Sequence, residues 1–115
     1  MQRVYVAGAY SADNVMDVLN NIRRGIKAST EVFLSGFAPF CPWLDFHYQL
    51  MLGENEILTI DNYYEYSISW LKVSDIMYVI SNWQSSKGTI EEIKFANEER
   101  IPVVYSMQEL KKLKI

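Results

Sequence analysis

The sequence is poor in the residues that hold metal ions and form disulfides. Its 115 residues include one cysteine, Cys41, and one histidine, His47. A lone cysteine cannot close an internal disulfide, and one cysteine with one histidine cannot supply the usual zinc clusters. We therefore expect a cytoplasmic protein whose chemistry uses no metal and no cofactor.

Long hydrophobic runs and basic clusters are also missing. No stretch approaches the ~20 apolar residues of a membrane-spanning helix, and the start Met1-Gln2-Arg3 lacks the pattern of a signal peptide. The net charge is -3, and the longest basic run is Lys111-Lys112, which gives no electrostatic footprint for a nucleic-acid polymer. The expected partner is a small molecule rather than a membrane or a nucleic acid.

Aromatic residues, in contrast, are abundant at 14% of the chain, and many lie between Phe37 and Trp83. One interpretation is a single small domain, residues 1–115, that fills its core or a dimer interface with large side chains. The other interpretation is a pocket that stacks on a planar ring. Composition does not choose between them.

Strand-like and helix-like segments alternate along the chain. Short β-branched runs predict strands, and apolar residues at helical spacing predict helices. Residues 43–60 are less regular and predict one or two helical turns before Gly53. The expected segments are a strand at Arg3 to Gly8, a helix from Asp13 or Asn14 to Gly36, a strand at Phe37 to Phe40, a helix capped by Asp61 and running to about Lys72, a strand at Asp75 to Ile80, a helix from Gly88-Thr89 to about Glu99, a strand at Ile101 to Tyr105 and a helix from Gln108.

This alternation predicts an α/β fold. Strands separated by helices form a parallel sheet that is covered on both faces. We expect a three-layer, doubly wound, flavodoxin-like or Rossmann-like domain with a four- to five-stranded parallel sheet. Ligands bind beyond the carboxyl ends of such strands, so the candidate site lies in three segments, Gly8 to Asn14, Cys41 to His47 and Ser81 to Glu92.

Two familiar nucleotide-binding motifs are absent from these segments. There is no phosphate-binding loop ending in Gly-Lys-Ser/Thr, and no dinucleotide fingerprint of three spaced glycines follows the first strand. After that strand come Gly8 and Tyr10. Gly8 either permits a close backbone approach to a ligand or is an ordinary turn glycine.

The segment from Ser85 to Ala96 is the most informative. Ser86 and the backbone amides at the start of the following helix could hold a phosphate or carboxylate. Glu92 lies on the sheet side of that helix, where the dipole of the first turn would keep it ionised. It is suited to attack an electrophilic sugar carbon, or it serves only the helix dipole.

Several runs of the sequence together resemble the nucleoside 2-deoxyribosyltransferase superfamily. They are Val4-Tyr5-Val-Ala-Gly8, Asp75-Ile-Met-Tyr-Val-Ile80, Ser86-Lys-Gly88, Glu92-Ile-Lys-Phe-Ala96 and Ile101-Pro-Val-Val. The resemblance covers about half the chain and is nearest to the small uncharacterised branch and to the 2'-deoxynucleoside 5'-phosphate N-hydrolases. It implies cleavage or transfer at the N-glycosidic bond of a nucleoside or its 5'-monophosphate, and a homodimer or higher homo-oligomer.

The resemblance also implies roles for individual residues. Glu92 would be the nucleophile at C1' of the sugar, and Tyr5 would orient its carboxylate. Ser86 stands where the nucleoside transferases have Asp and the nucleotide hydrolases have Ser, so it favours a 5'-phosphate over a free 5'-hydroxyl. Gly8, Tyr10 and Gly88 would line the substrate pocket.

Further candidates lie in the same loops. Trp43, Asp45 and His47 follow the second strand, where they could recognise the base. Trp83 either stacks on the base or sugar or packs on a helix.

The sequence departs from the superfamily at two places. Ser67 stands where its members tend to have an aspartate near the departing base, and a serine hydroxyl is a poor acid. The side chains that could take over this role are Asp45, His47, Asp61 and Glu65. The chain also ends soon after the fourth strand, whereas relatives complete the pocket with C-terminal residues of a neighbouring subunit. Two alternatives to an enzyme therefore remain, a catalytically inactive nucleotide-binding module and a structural interaction domain.

Overall fold

The computed structural model describes residues 1–115 and contains one parallel sheet. Its strands are β1 (Arg3–Ala7), β2 (Ala38–Phe40), β3 (Ile76–Val79) and β4 (Val103–Val104). The strands pair in the order β2-β1-β3-β4, all in parallel. This is the flavodoxin-like order, in which the chain leaves β1 toward one edge and returns through β3 toward the other. The predicted α/β class is confirmed, with four strands.

Five α-helices connect and cover these strands. None of them is long and apolar enough to cross a membrane. A turn of 3-10 helix, Pro42–Asp45, precedes the second, and another, Trp83–Ser85, precedes the fourth. The helices are α1 (Val15–Leu34), α2 (Phe46–Leu50), α3 (Ile60–Lys72), α4 (Lys87–Glu98) and α5 (Met107–Lys112).

The sheet is buried on both faces because successive side chains of a strand point to opposite sides. In β1, Val4 and Val6 pack in one core with residues of α1 and α5. Tyr5 and Ala7 pack in the other core with Leu71 of α3 and residues of α4. The expected three-layer arrangement is therefore present, and it aims the Tyr5 side chain toward α4.

The ends of α1 lie where the sequence places them. Asn14 caps the helix, since its side chain accepts a hydrogen bond from the Asp17 amide at 2.9 Å. Beyond the last turn, Gly36 has a φ of +91°, a left-handed conformation that glycine adopts without a steric penalty.

Several other boundaries differ from the predicted ones, most of them by a single residue. The cap of α3 is Thr59 rather than Asp61, because Thr59 and Asn62 form a reciprocal capping box. Helix α4 begins at Lys87, directly after its cap Ser86. Strand β4 is limited to two residues, since Pro102 just before it has no N–H to donate to the ladder.

Candidate active site

A cavity of about 580 Å³ lies beyond the carboxyl end of β1, on the sheet face covered by α3 and α4. Its volume falls within the range of roughly 300–1,000 Å³ that is typical of small-molecule sites. Five parts of the chain form its walls. The lining residues that matter below are Gly8 and Tyr10 after β1, Trp43 and Asp45 in the first 3-10 turn, Phe46 and Gln49 of α2, Tyr63, Tyr64 and Ser67 of α3, and Ser86, Lys87, Gly88, Thr89 and Glu92 around the start of α4.

Glu92 and Tyr5 meet at the inner end of this cavity. The buried Tyr5 hydroxyl donates a hydrogen bond to Oε2 of Glu92. Oε1 of Glu92 has no hydrogen-bond partner. Every fully buried polar side-chain atom in the structure has a partner, so Oε1 is not fully buried. One carboxylate oxygen is thus held by Tyr5, and the other is open to a ligand.

Burial raises the pKa of Glu92 from 4.5 to about 7, and the hydrogen bond from Tyr5 opposes this increase. The expectation of a first-turn glutamate held ionised by the helix dipole was wrong. Since α4 begins at Lys87, Glu92 lies in its second turn, beyond the short range of the dipole. Desolvation therefore dominates, and near neutral pH the carboxyl exists in both protonation states.

The same contacts act in the opposite sense on Tyr5. Burial, with the charge of Glu92 as the next cause, holds the pKa of Tyr5 well above its usual range. Its hydroxyl therefore keeps its proton and remains a donor to Glu92 at physiological pH.

Ser86 has a structural task at the start of α4. Its Oγ accepts a hydrogen bond from the Thr89 amide at 3.2 Å, and the two hydroxyls lie 2.9 Å apart. The Thr89 hydroxyl also donates to the Gly8 carbonyl at 2.9 Å. These bonds fix the beginning of α4 against the end of β1, which determines where Glu92 lies.

Gly8 is required by packing. A Cβ at this position would lie 2.8 Å from Cδ1 of Ile80 and 3.2 Å from Oδ1 of Asn82. Gly88, by contrast, has open space where a Cβ would be, and it lines the cavity. The amides of Lys87 and Gly88 precede the first intrahelical bond of α4, from Ile90 to Ser86. They are available to an anion.

Asp45 forms a second polar corner of the cavity. Its Oδ1 accepts a hydrogen bond from the Tyr10 hydroxyl at 2.9 Å. Burial raises the pKa of Asp45, and the Tyr10 bond opposes the increase. Tyr10 in turn has its pKa raised, mainly by burial and then by Asp45.

Trp43 touches the cavity but belongs mostly to the core. Its side chain is 1% exposed, and its indole Nε1 donates to the Ala9 carbonyl at 3.0 Å. The other side of the ring packs on Gly25, where a Cβ would overlap it. Trp43 therefore forms a rigid floor of the cavity and has no free face on which a base could stack.

Two predicted binding residues lie outside the cavity. His47 turns away, with Nδ1 2.9 Å from the Leu44 carbonyl oxygen and its ring 4.1 Å from that of Phe46. Trp83 packs with Tyr105, at 5.7 Å between ring centroids, and with the core under α4. Trp83 thus packs beside α4 in this structure and does not line the cavity.

The structure also distinguishes between the side chains that could replace the missing aspartate near the departing base. Ser67 itself lines the cavity and is nearly buried. Of the four side chains named for its role, only Asp45 lines the cavity. Asp61 and Glu65 are exposed on α3, and His47 faces away.

The aromatic wall of the cavity was not predicted. Phe46 of α2 and Tyr63 and Tyr64 of α3 line it, and the Tyr63 hydroxyl donates to Oε1 of Gln49 at 2.7 Å. The sequence does carry a signal for this wall. Helical spacing places four residues on one face of α3, namely Ile60, Tyr63, Tyr64 and Ser67. That face is too polar for a core, which indicates a cavity.

Comparisons with known proteins agree with this architecture. The family described as a domain of unknown function, DUF7768, matches residues 2–106. No curated protein matches the chain in sequence. Among solved structures, a 2-deoxyribosyltransferase from the psychrotolerant bacterium Bacillus psychrosaccharolyticus is similar, with a TM-score of 0.62 and 18% identity, over 88% of this chain and 69% of that chain. This similarity supports the predicted resemblance at the level of the fold. The chain is a member of the DUF7768 family and has the fold of a 2-deoxyribosyltransferase.

Proposed function

We propose that this protein cleaves the N-glycosidic bond of a deoxynucleoside or, preferentially, a deoxynucleoside 5'-monophosphate, with Glu92 as the nucleophile. The observation that carries the proposal is the Glu92 carboxylate in the cavity, with one oxygen held by Tyr5 and the other open. The similar fold of a 2-deoxyribosyltransferase described as a suitable biocatalyst for nucleoside synthesis supports it.

The proposed chemistry has two steps. Oε1 of ionised Glu92 attacks C1' of the sugar, and the bond from C1' to the base breaks with its electron pair going to the base. Water or a second base then attacks C1' from the opposite side and releases Glu92, so the configuration at C1' is retained overall. The Tyr5 hydroxyl fixes the carboxylate during both attacks.

Charge and shape support a nucleotide as the substrate. Lys87 is the one cationic side chain that lines the cavity, and it stands beside the available amides of Lys87 and Gly88. Together with the Ser86 hydroxyl they provide a place for a 5'-phosphate. The aromatic wall of Phe46, Tyr63 and Tyr64 offers flat surfaces to the base.

We also propose that the protein is a homo-oligomer in solution. Large apolar side chains are exposed next to one another at the end of α1, where Phe33 is 62% and Leu34 83% exposed. Sedimentation analysis should give a mass of at least twice 13.4 kDa. A monomer at micromolar concentration would contradict this proposal and leave the catalytic one unaffected.

The catalytic proposal is tested by incubating the protein with a panel of nucleosides and nucleoside monophosphates and measuring free base by chromatography. The wild type should release base, and Glu92→Gln should lower the rate at least about a thousandfold, a loss of ~4 kcal/mol of transition-state stabilisation. The exposed neighbour Glu91 provides a matched control, and Glu91→Gln should retain full activity.

Other outcomes point to other functions. Nucleotide binding in calorimetry without release of base would favour the inactive binding module. Ser67 gives a reason to test for this outcome, because it lines the cavity and its hydroxyl is a poor acid. Equal affinity for nucleosides and nucleotides would contradict the role of Lys87 and Ser86 in phosphate binding. Base release that survives Glu92→Gln would overturn the nucleophile.

A further inference from the structure

We propose that Asp45 is the catalytic acid that protonates the base as it leaves, an inference that rests on the proposed function. Cleavage of a glycosidic bond by a carboxylate nucleophile generally uses a second carboxyl group as acid and base. The cavity is lined by two carboxyl groups, Glu92 and Asp45.

The two carboxyl groups reach the cavity from different sides of β1. Asp45 belongs to the turn that follows β2, and Glu92 to the helix that follows β3, whereas β1 lies between these strands. Both line the same cavity, and Asp45 directly precedes Phe46 of the aromatic wall proposed to receive the base. A sugar bound against Glu92 would thus present its base to the part of the cavity that contains Asp45.

The geometry of Asp45 suits a proton donor. Oδ1 accepts a hydrogen bond from the Tyr10 hydroxyl at 2.9 Å, which fixes the position of the carboxyl group. Oδ2 has no hydrogen-bond partner. Every fully buried side-chain oxygen in the structure has a partner, so Oδ2 is not fully buried. Tyr10 therefore orients the group while Oδ2 remains free to carry a proton to a ligand.

The surroundings of Asp45 also favour its protonated form. Its titratable neighbours are Tyr5, Tyr10, Cys41, Tyr63 and Tyr66, none of which carries a positive charge. The nearby His47 turns its Nδ1 to the Leu44 carbonyl. Lys87, the cation that lines the same cavity, is not among the groups that shift the pKa of Asp45, and burial raises that pKa.

The proton and the electron pairs of the reaction balance over its two steps. Oδ2 of Asp45 gives its proton to a ring nitrogen of the base while Oε1 of Glu92 bonds to C1', and the electron pair of the broken bond stays on the base, which leaves neutral. In the second step Asp45 takes a proton from water as the water oxygen bonds to C1' and Glu92 departs. Both carboxyl groups return to their starting states.

The proposal predicts a characteristic pH dependence. The productive state has one proton on the pair, located on Asp45 with Glu92 ionised. It is a fraction of the singly protonated population, because burial raises the pKa of Glu92 to about 7 and so holds protons there as well. For the wild type, kcat/KM should therefore rise and then fall, because the last proton of the pair is lost as the pH rises above about 7. In Asp45→Asn only the ionisation of Glu92 remains, so kcat/KM should rise through about pH 7 and then stay level.

The experiment compares two deoxynucleotide substrates. One carries an ordinary purine, and the other an N7-methylated purine, whose base is already cationic and leaves without protonation. Asp45→Asn should lower turnover of the ordinary substrate at least about a hundredfold and leave the methylated one nearly unchanged. Glu92→Gln should lose both. Asp61→Asn, the same substitution at an exposed position of α3, should lose neither.

Each other result has a defined meaning. An equal loss on both substrates, or a falling alkaline limb that survives in Asp45→Asn, would overturn the acid role while the proposed function stands. Full activity of Asp45→Asn on the ordinary substrate would do the same. If the wild type releases no base from either substrate, the proposed function fails, and this inference fails with it. A thermal unfolding curve like that of the wild type confirms that the Asp45→Asn protein is folded.

Discussion

Removing the charge of Glu92 should make the protein more stable at neutral and alkaline pH. Folding raises the pKa of Glu92 from 4.5 to about 7, mainly through burial. A carboxyl group with a raised pKa holds its proton more tightly in the folded state than in the unfolded state. Its favourable contribution is therefore complete below about pH 4.5 and is lost as the pH rises through about 7.

The magnitude follows from the same two values. The pKa of Glu92 rises from 4.5 to about 7 on folding, and each pKa unit corresponds to about 1.4 kcal/mol. Ionisation of Glu92 should therefore lower the free energy of unfolding by about 3 kcal/mol at pH 8. In Glu92→Gln the side chain is neutral at every pH, and its amide oxygen can still accept the hydrogen bond from Tyr5. The variant should thus be more stable than the wild type at pH 8, while the two should nearly match at pH 4.

Urea denaturation provides the assay. The stability advantage of Glu92→Gln should grow by about 2.5 kcal/mol between pH 5 and pH 8. The adjacent Glu91 is exposed, so Glu91→Gln should show no comparable change with pH. An advantage that is the same at both pH values, or a variant that is less stable at pH 8, would refute the reasoning that burial controls Glu92.

Three further substitutions test other parts of the account. Tyr5→Phe removes the hydrogen bond that favours ionised Glu92, so NMR titration should show the pKa of Glu92 increase above about 7; no increase would contradict the pairing. Gly25→Ala places a Cβ on the indole of Trp43 and should destabilise the fold by at least about 2 kcal/mol in urea, and a neutral result would contradict the close contact. Arg100 has a φ of +60°, so Arg100→Gly should relieve left-handed strain and stabilise the protein by about 1 kcal/mol, seen as a higher Tm; a lower Tm would contradict this.

The sheet and its order of elements were predictable because each signal is local. The run Ile76–Val79 is apolar throughout, as a strand buried on both faces must be. Asn14 and Gly36 mark the limits of α1 by short-range hydrogen bonding and backbone conformation. The box of Thr59 and Asn62 is equally local, and it, rather than the nearby Asp61, caps α3.

The site was predictable only in part. Ser86, Gly88 and Glu92 share one short segment, so their proximity follows from helical geometry. The contact of Glu92 with Tyr5 joins positions 87 residues apart, and only the resemblance to a known superfamily suggested it. Its raised pKa depends on burial in the folded chain, which no local pattern reveals.

The loop after β2 shows where sequence reasoning fails. Asp45 and His47 are two residues apart, and in a helical turn this separation places side chains on nearly opposite sides. One therefore lines the cavity while the other faces away. The same turn carries Trp43, which packs on Gly25 of α1, and no local pattern reveals this contact.

The central claim is that Glu92 forms a covalent bond to the sugar, and mass spectrometry tests it most directly. The protein would be incubated with a 2'-fluoro-substituted deoxynucleotide, whose electron-withdrawing fluorine slows breakdown of the intermediate, and its intact mass measured after acid quench. We expect a mass increase equal to one glycosyl phosphate group, with peptide mapping placing it on Glu92. Released base without any adduct on Glu92, or an adduct on another residue, would contradict the account.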